Sequence, residues 1–160
     1  QAVMAHLQEL ENKPVQVIWQ CGKLYHQQAR DAIKQYNLPG IRLMDFINRM
    51  DMAYAAADVI ISRAGAGTIS ELALVKKPVV LVPSPNVAED HQTRNARSLV
   101  DRDAALMVRD EDAQQELMNK AFEILDNERL SNELSKHIAQ IAKPDSAGTI
   151  AGEVIKLIRS

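Results

Sequence analysis

The sequence predicts one α/β domain of the doubly wound kind, a parallel sheet with helices on both faces. Strand-like and helix-like segments alternate along the 160 residues, the arrangement that builds parallel sheets through right-handed crossovers. Most strand candidates are short continuous apolar runs, such as Val79-Val-Leu-Val82, the pattern of strands covered on both faces. Apolar residues make up 46% of the chain and charged residues 25%, which is enough for a packed core and argues against disorder.

The elements follow from local patterning. Val3, Leu7 and Leu10 have helical spacing, and Asn12-Lys-Pro14 ends that segment. Val15–Trp19 is β-branched and aromatic and reads as a strand closed by Cys21-Gly22. Tyr25–Tyr36 reads as a helix, Asn37-Leu-Pro-Gly40 as a turn and Ile41–Phe46 as a strand. The small residues of Met50–Ala57 form a helix, and Asp58–Ser62 a strand. Gly65-Ala-Gly67 is a loop before a helix over Thr68–Val75. Pro78–Pro83 is a strand, followed by a loop through Val87 and a helix over Glu89–Val100. A last strand, Ala104–Val108, precedes helices over Asp112–Leu125 and Glu128–Ile141. Lys143-Pro-Asp-Ser146 breaks the run before a terminal helix over Ala147–Ile158.

Composition excludes several classes of function. Nineteen basic residues against twenty-one acidic ones give a net charge of −2, which does not suit a general nucleic-acid binder. A single cysteine, Cys21, allows no internal disulfide, and with four scattered histidines a structural zinc site is not expected. No run approaches the roughly 20 apolar residues that span a bilayer. No signal peptide opens the chain, which begins at Gln1 and reads at once as a helix. It is therefore expected to be part of something longer.

In doubly wound sheets, ligands bind beyond the carboxyl ends of the strands. The loops to inspect are therefore 22–23, 46–48, 63–68 and 84–91. The segment Ser62-Arg-Ala-Gly-Ala-Gly-Thr-Ile-Ser-Glu71 joins a strand to a helix. Its glycines let backbone approach a ligand closely, and the first-turn N–H groups suit a phosphate or diphosphate. Thr68 is placed to cap the helix or donate its hydroxyl. The other reading of the segment is a tight turn before a capped helix with no ligand. Glu71, a turn further on, is either a surface carboxylate favoured by the helix dipole or an acceptor for two ribose hydroxyls. His91 and Asn95 share a helical face with Gln92 beside them. They read sugar hydroxyls, or else are solvated residues behind an Asp90 cap. A general base at His91 lacks a clear carboxylate to orient it. Phe46, Ile47 and Met50 form an apolar slot for a nucleobase, or are simply core. His6, His26 and His137 are expected at the surface, Cys21 buried, and Met107 and Met118 in the core.

Four segments taken together carry a resemblance. They are Asp45-Phe-Ile-Asn-Arg-Met50, Ala53-Tyr-Ala-Ala-Ala-Asp58, Ser62–Glu71 and Pro83-Ser-Pro-Asn-Val-Ala-Glu-Asp-His-Gln-Thr-Arg-Asn-Ala96. In this order they resemble the MurG family of GT-B glycosyltransferases, over nearly the whole chain. The resemblance implies a Rossmann-like, carboxy-terminal, UDP-N-acetylglucosamine-binding domain spanning residues 1–160. Both the first strand of that domain, with its own glycine-rich loop, and the amino-terminal acceptor domain are absent.

The family transfers N-acetylglucosamine from UDP-N-acetylglucosamine to the C4 hydroxyl of the undecaprenyl-diphosphate-linked muramyl-pentapeptide. The transfer proceeds with inversion, makes lipid II for peptidoglycan synthesis, and needs no cofactor or essential metal. By motif position, backbone at Ile47 would read uracil, with Phe46 and Met50 shaping the slot. Ala66, Gly67 and Thr68 would hold the diphosphate, and Glu71 the ribose. His91, Gln92 and Asn95 would contact the N-acetylglucosamine, while Arg63 would only support the loop. No catalytic residue is expected in this chain. The lipid acceptor would be met through the absent domain, at the cytoplasmic face of the bacterial inner membrane, with no transmembrane segment and no nucleic acid. Two rivals are a stand-alone nucleotide-sugar-binding subunit that needs a partner chain, and an isomerase resembling UDP-N-acetylglucosamine 2-epimerase.

Overall fold

The computed structural model describes residues 2–36, 38–85 and 90–159. Helices α1 (Ala2–Ala5) and α2 (Leu7–Glu11) precede β1 (Val17–Gln20), α3 (Lys23–Lys34), β2 (Ile41–Met44) and α4 (Met50–Ala56). Strand β3 (Ile60–Ser62), α5 (Ala66–Val75), β4 (Val79–Leu81), α6 (His91–Val100) and β5 (Leu106–Met107) follow. A 3-10 turn at Asp110–Asp112 leads into α7 (Ala113–Leu125), α8 (Glu128–Ile141) and α9 (Ser146–Arg159).

All the pairing is parallel, as expected of an α/β fold. The strands nevertheless form two groups among the described residues, β1–β2 and β3–β4–β5, where one sheet was expected. Val17 to Gln20 pair with Ile41 to Met44, and Ile60 to Ser62 with Val79 to Leu81. Strand β1 thus pairs on one side only, with Ile18 42% exposed, and β3 on one side only, with Ile61 37% exposed.

The core explains the apolar runs. In β4, Val79 and Leu81 pack with Leu72, Ala73, Leu99 and Ile138, on the face that α5, α6 and α8 cover. Val80 points the other way, towards Leu117, Ile124 and Leu134 of α7 and α8. That two-residue alternation between two buried clusters is what a strand covered on both faces requires. Strands β1 and β2 are covered on one face, where Val17 and Ile41 pack against Leu7, Leu10, Met118 and Phe122.

Two glycines set chain direction. Gly22 turns β1 into α3 at φ 75°, a conformation that side chains rarely adopt. A Cβ on Gly40 would lie 2.9 Å from the Val15 carbonyl oxygen, so the approach to β2 has room for glycine alone. No helix among the described residues is long and apolar enough to cross a membrane. The amphipathic α9 leaves Ile150, Val154, Leu157 and Ile158 exposed.

His6 departs from expectation. It is buried, at 6% exposure, in the break between α1 and α2. Its Nδ1 lies 2.9 Å from Glu9 Oε2, and its Nε2 2.7 Å from the Gln114 carbonyl oxygen of α7. The residue looked like a surface histidine because the partner that buries it is 108 positions away. His26 and His137 are half-buried, the latter with Nδ1 3.1 Å from the Asp103 carbonyl oxygen. Cys21 is half-buried, its thiol donating to the Gly22 and Met44 carbonyls. Replacing His6 with alanine removes both contacts of a buried ring and leaves a cavity, and should cost about 1–3 kcal/mol of stability. Urea denaturation would read it as a lower midpoint at unchanged slope.

Candidate functional site

The site lies where β1 to β4 end. Beyond β3, helix α5 begins at Ala66, two residues before the expected start. Gly65 is its N-cap, and no side chain caps it. Its first backbone bond runs from the Ile69 N–H to the Gly65 carbonyl, at 2.9 Å. The N–H groups of Ala66, Gly67 and Thr68 therefore have no partner among the described residues. Thr68 sits inside the first turn and does not cap. Gly67 is exposed, with open space where a Cβ would stand. Three unsatisfied amides at the positive end of a ten-residue helix make a place for an anion.

The loop feeding this turn is clamped. The buried Ala64 donates its N–H to Gln92 Oε1 at 3.2 Å, and its carbonyl accepts from Asn95 Nδ2 at 3.0 Å. Gln92 Oε1 also accepts from the Ser84 N–H at 2.9 Å, so one amide ties the loops after β3 and β4 together. Each side chain has one end engaged in this scaffold. Gln92 Nε2 and Asn95 Oδ1 remain without a protein partner among the described residues. Arg63 donates to the Val82 and Pro83 carbonyls and pairs with Asp110, bracing the same two loops. His91 is the exposed first residue of α6. Asp90 occupies the N-cap position at φ 55° without a side-chain capping bond. Residues 86–89 of the expected loop lie outside the described residues.

Glu71 is exposed, one turn into α5 beyond Thr68. The half-buried Tyr54 of α4 donates its hydroxyl to Glu71 Oε2 at 3.5 Å. Burial, then the neighbouring Glu71 charge, push the Tyr54 phenol above its ordinary value. In the loop after β2, Phe46 is 62% exposed, while Ile47 and Met50 are half-buried. The Phe46 N–H donates to Asp45 Oδ1 at 2.9 Å, and the Ile47 N–H to Gln20 Oε1 at 2.8 Å. Tyr54 and Gln20 are the residues that sequence reasoning missed. The first lies inside a motif already singled out, and the second is a polar side chain ending a strand beside a candidate loop. A concavity of about 460 Å³ lies at the opposite ends of β1 and β2, lined by Val15 and Gly40 among others.

Comparison with known proteins gives a consistent result. Residues 1–150 match the family described as glycosyltransferase family 28 C-terminal domain. Two relatives share the name UDP-N-acetylglucosamine--N-acetylmuramyl-(pentapeptide) pyrophosphoryl-undecaprenol N-acetylglucosamine transferase. The one from Bacteroides fragilis is 56% identical over 144 residues, covering 89% of this chain and 38% of the relative. The one from Bacteroides thetaiotaomicron is 55% identical over 148 residues, covering 92% and 40%. The crystal structure of Acinetobacter baumannii MurG superposes with a TM-score of 0.79 at 30% identity, covering 97% of this chain and 47% of that one. The chain therefore spans less than half the length of these relatives.

The Tyr54–Glu71 contact can be checked by titration. Tyr54 should ionise above the ordinary value of about 10. Glu71→Gln should lower that value only part of the way, because burial, the larger cause, persists. Above pH ~10 the unfolded chain releases this proton while the folded chain keeps it, so stability should fall as pH rises through that range. Carbon-13 NMR of the tyrosine Cζ would read the ionisation directly.

Proposed function

The chain belongs to the family of glycosyltransferase family 28 C-terminal domains, and from that premise we propose that it is the donor-binding half of a two-domain transferase. The longer enzyme moves N-acetylglucosamine from UDP-N-acetylglucosamine to a lipid-linked muramyl-pentapeptide, on the cytoplasmic face of the bacterial inner membrane. The observation that carries this reading is the uncapped first turn of α5 at Ala66, Gly67 and Thr68, with Glu71 held one turn further on by Tyr54.

The diphosphate docks on the three free N–H groups, where the macrodipole favours negative charge. As the sugar leaves, charge grows on UDP at the same place, so the turn stabilises the transition state as well as the ground state. Glu71 accepts from the ribose hydroxyls. Gln92 Nε2 and Asn95 Oδ1, the amide ends that the scaffold leaves over, meet the N-acetylglucosamine together with His91. Ile47 reads uracil between Phe46 and Met50. Arg63 supports the loop and touches no substrate.

No described residue is assigned as the base for the acceptor hydroxyl, and inverting transfer needs one aligned with the donor. The amino-terminal half of the longer enzyme supplies it and carries the acceptor. A further parallel strand with its own glycine-rich loop completes the donor domain. The unpaired sides of β1 and β3 support that incompleteness.

Glu71→Ala, in the protein expressed from its full reading frame, should weaken UDP binding by about 1.5–3 kcal/mol, measured by calorimetric titration. Unchanged affinity would remove Glu71 from the site. The 160 residues alone should form no lipid-linked disaccharide. Incubation of the longer protein with UDP-N-acetylglucosamine and no acceptor should leave the sugar's C2 configuration intact, whereas an epimerase would invert it.

A further inference from the structure

The carboxylate of Glu71 stands at the surface of α5 on a long, rotatable side chain. Among the described residues its side-chain partner is the Tyr54 hydroxyl, which donates to Oε2 at 3.5 Å. The two ends of that contact differ in how firmly they are held. The Tyr54 ring packs, half-buried, against the core cluster that contains Leu72 and Ala73 of α5. Its hydroxyl reaches the exposed carboxylate from that anchored ring. Burial, then the Glu71 charge, push the phenol above its ordinary value, so it keeps the proton it donates. Tyr54 lies four residues after Met50, the first residue of α4, and so shares a helical face with it. In a nucleoside diphosphate the ribose lies between the base and the diphosphate. The Tyr54–Glu71 pair likewise bridges α4, whose first residue flanks the proposed base slot, and α5, whose first turn is the proposed diphosphate place.

We infer that Tyr54 is a positioning residue for the ribose contact, holding Glu71 Oε2 so that the carboxylate meets both ribose hydroxyls. The inference rests on the proposed role of Glu71 and adds to it a residue that touches no substrate. A carboxylate that accepts from two neighbouring hydroxyls must present both oxygens at once, in one orientation. Each oxygen has two lone pairs, so Oε2 accepts from the phenol and from one hydroxyl together, while Oε1 accepts from the other. An exposed glutamate samples many rotamers, and fixing one of them costs conformational entropy. A donor carried on a ring already packed in the core removes part of that cost before the ligand arrives. At 3.5 Å the contact is long for a hydroxyl–carboxylate bond, so it biases Glu71 towards one orientation without locking it. The effect therefore lies at the low end of what a hydrogen bond contributes.

The test is calorimetric titration of UDP and of 2′,3′-dideoxy-UDP into the protein expressed from its full reading frame. The forms compared are wild type, Tyr54→Phe, Glu71→Ala and the double variant. Tyr54→Phe keeps the packed ring and removes only the hydroxyl. It should weaken UDP binding about threefold. Binding of 2′,3′-dideoxy-UDP should stay unchanged, because that ligand has no ribose hydroxyls for Glu71 to meet. A general loosening of the site would weaken both ligands alike, and that result overturns the inference. In the Glu71→Ala background, Tyr54→Phe should have no further effect on UDP. A loss that persists there overturns the inference, since Tyr54 would then act on something other than Glu71. Unchanged or tighter UDP binding in Tyr54→Phe overturns it too, the latter making the phenol a competitor for Oε2. These outcomes leave the reading of Glu71 standing. A wild type that binds UDP and 2′,3′-dideoxy-UDP equally removes that reading, and the inference with it.

Discussion

Ala64 is the residue on which the arrangement of the site depends. Its N–H and its carbonyl are both held by amide side chains of α6, one by Gln92 and the other by Asn95. Those two positions lie three apart and so share a helical face. The grip fixes the chain immediately before Gly65, and Gly65 starts α5. A helix start fixed in this way directs its first three N–H groups in one direction without any side chain to cap them. A side-chain cap here would satisfy the same amides an anion needs. The scaffold holds the turn from behind, through Ala64, and leaves the front open.

The same economy recurs around the edge. Three of the loops after strands are tied by side chains from another element or loop: the β2 loop by Gln20, the β3 loop by Gln92 and Asn95, and the β4 loop by Gln92 and Arg63. Glu71 is approached from α4 by Tyr54. These ties cross between elements that the parallel topology brings to one end, and hydrogen bonds to backbone hold loops better than apolar packing could at an exposed rim. The chain's net charge is only −2. An anion at the proposed place would therefore be attracted by oriented peptide dipoles rather than by a net excess of cationic side chains.

The fold was legible where burial imposes a pattern. The continuous apolar run at Val79–Leu81 marks the strand buried on both faces, and Glu128–Ile141 has the expected helical boundaries. Boundaries drifted where local hydrogen bonding decides them. The strand expected from Val15 begins at Val17, because the Val15 N–H bonds to the Lys13 carbonyl and the ladder opens with Val17 N–H on Gly40. Helix α5 starts before Thr68 because Ala66 and Gly67 adopt its first turn, a choice that two small residues reveal poorly. Candidate site residues were legible as motifs, yet their tertiary partners were not. Nothing local marks Gln20 as the acceptor for Ile47, Tyr54 as the donor to Glu71 or Gln114 as the carbonyl that buries His6, since each pairing depends on elements far apart in sequence.

The division of the strands into two groups bears on the site as well as on the fold. Strands β1 and β3 each have a side without a ladder, and unpaired peptide groups together with exposed Ile18 and Ile61 favour pairing with further chain. Parallel pairing constrains what such a strand can do. It must run in the same direction as β1 and β3, so it ends at the edge where Gln20 and Ser62 end. Its outgoing loop then emerges beside the free first turn of α5 and the loop after β2. Completing the sheet would therefore also complete the wall around the first turn of α5, since one directional rule governs both. A strand added antiparallel would satisfy the same peptide groups but send its loop to the far end, where it could touch neither Gly67 nor Glu71.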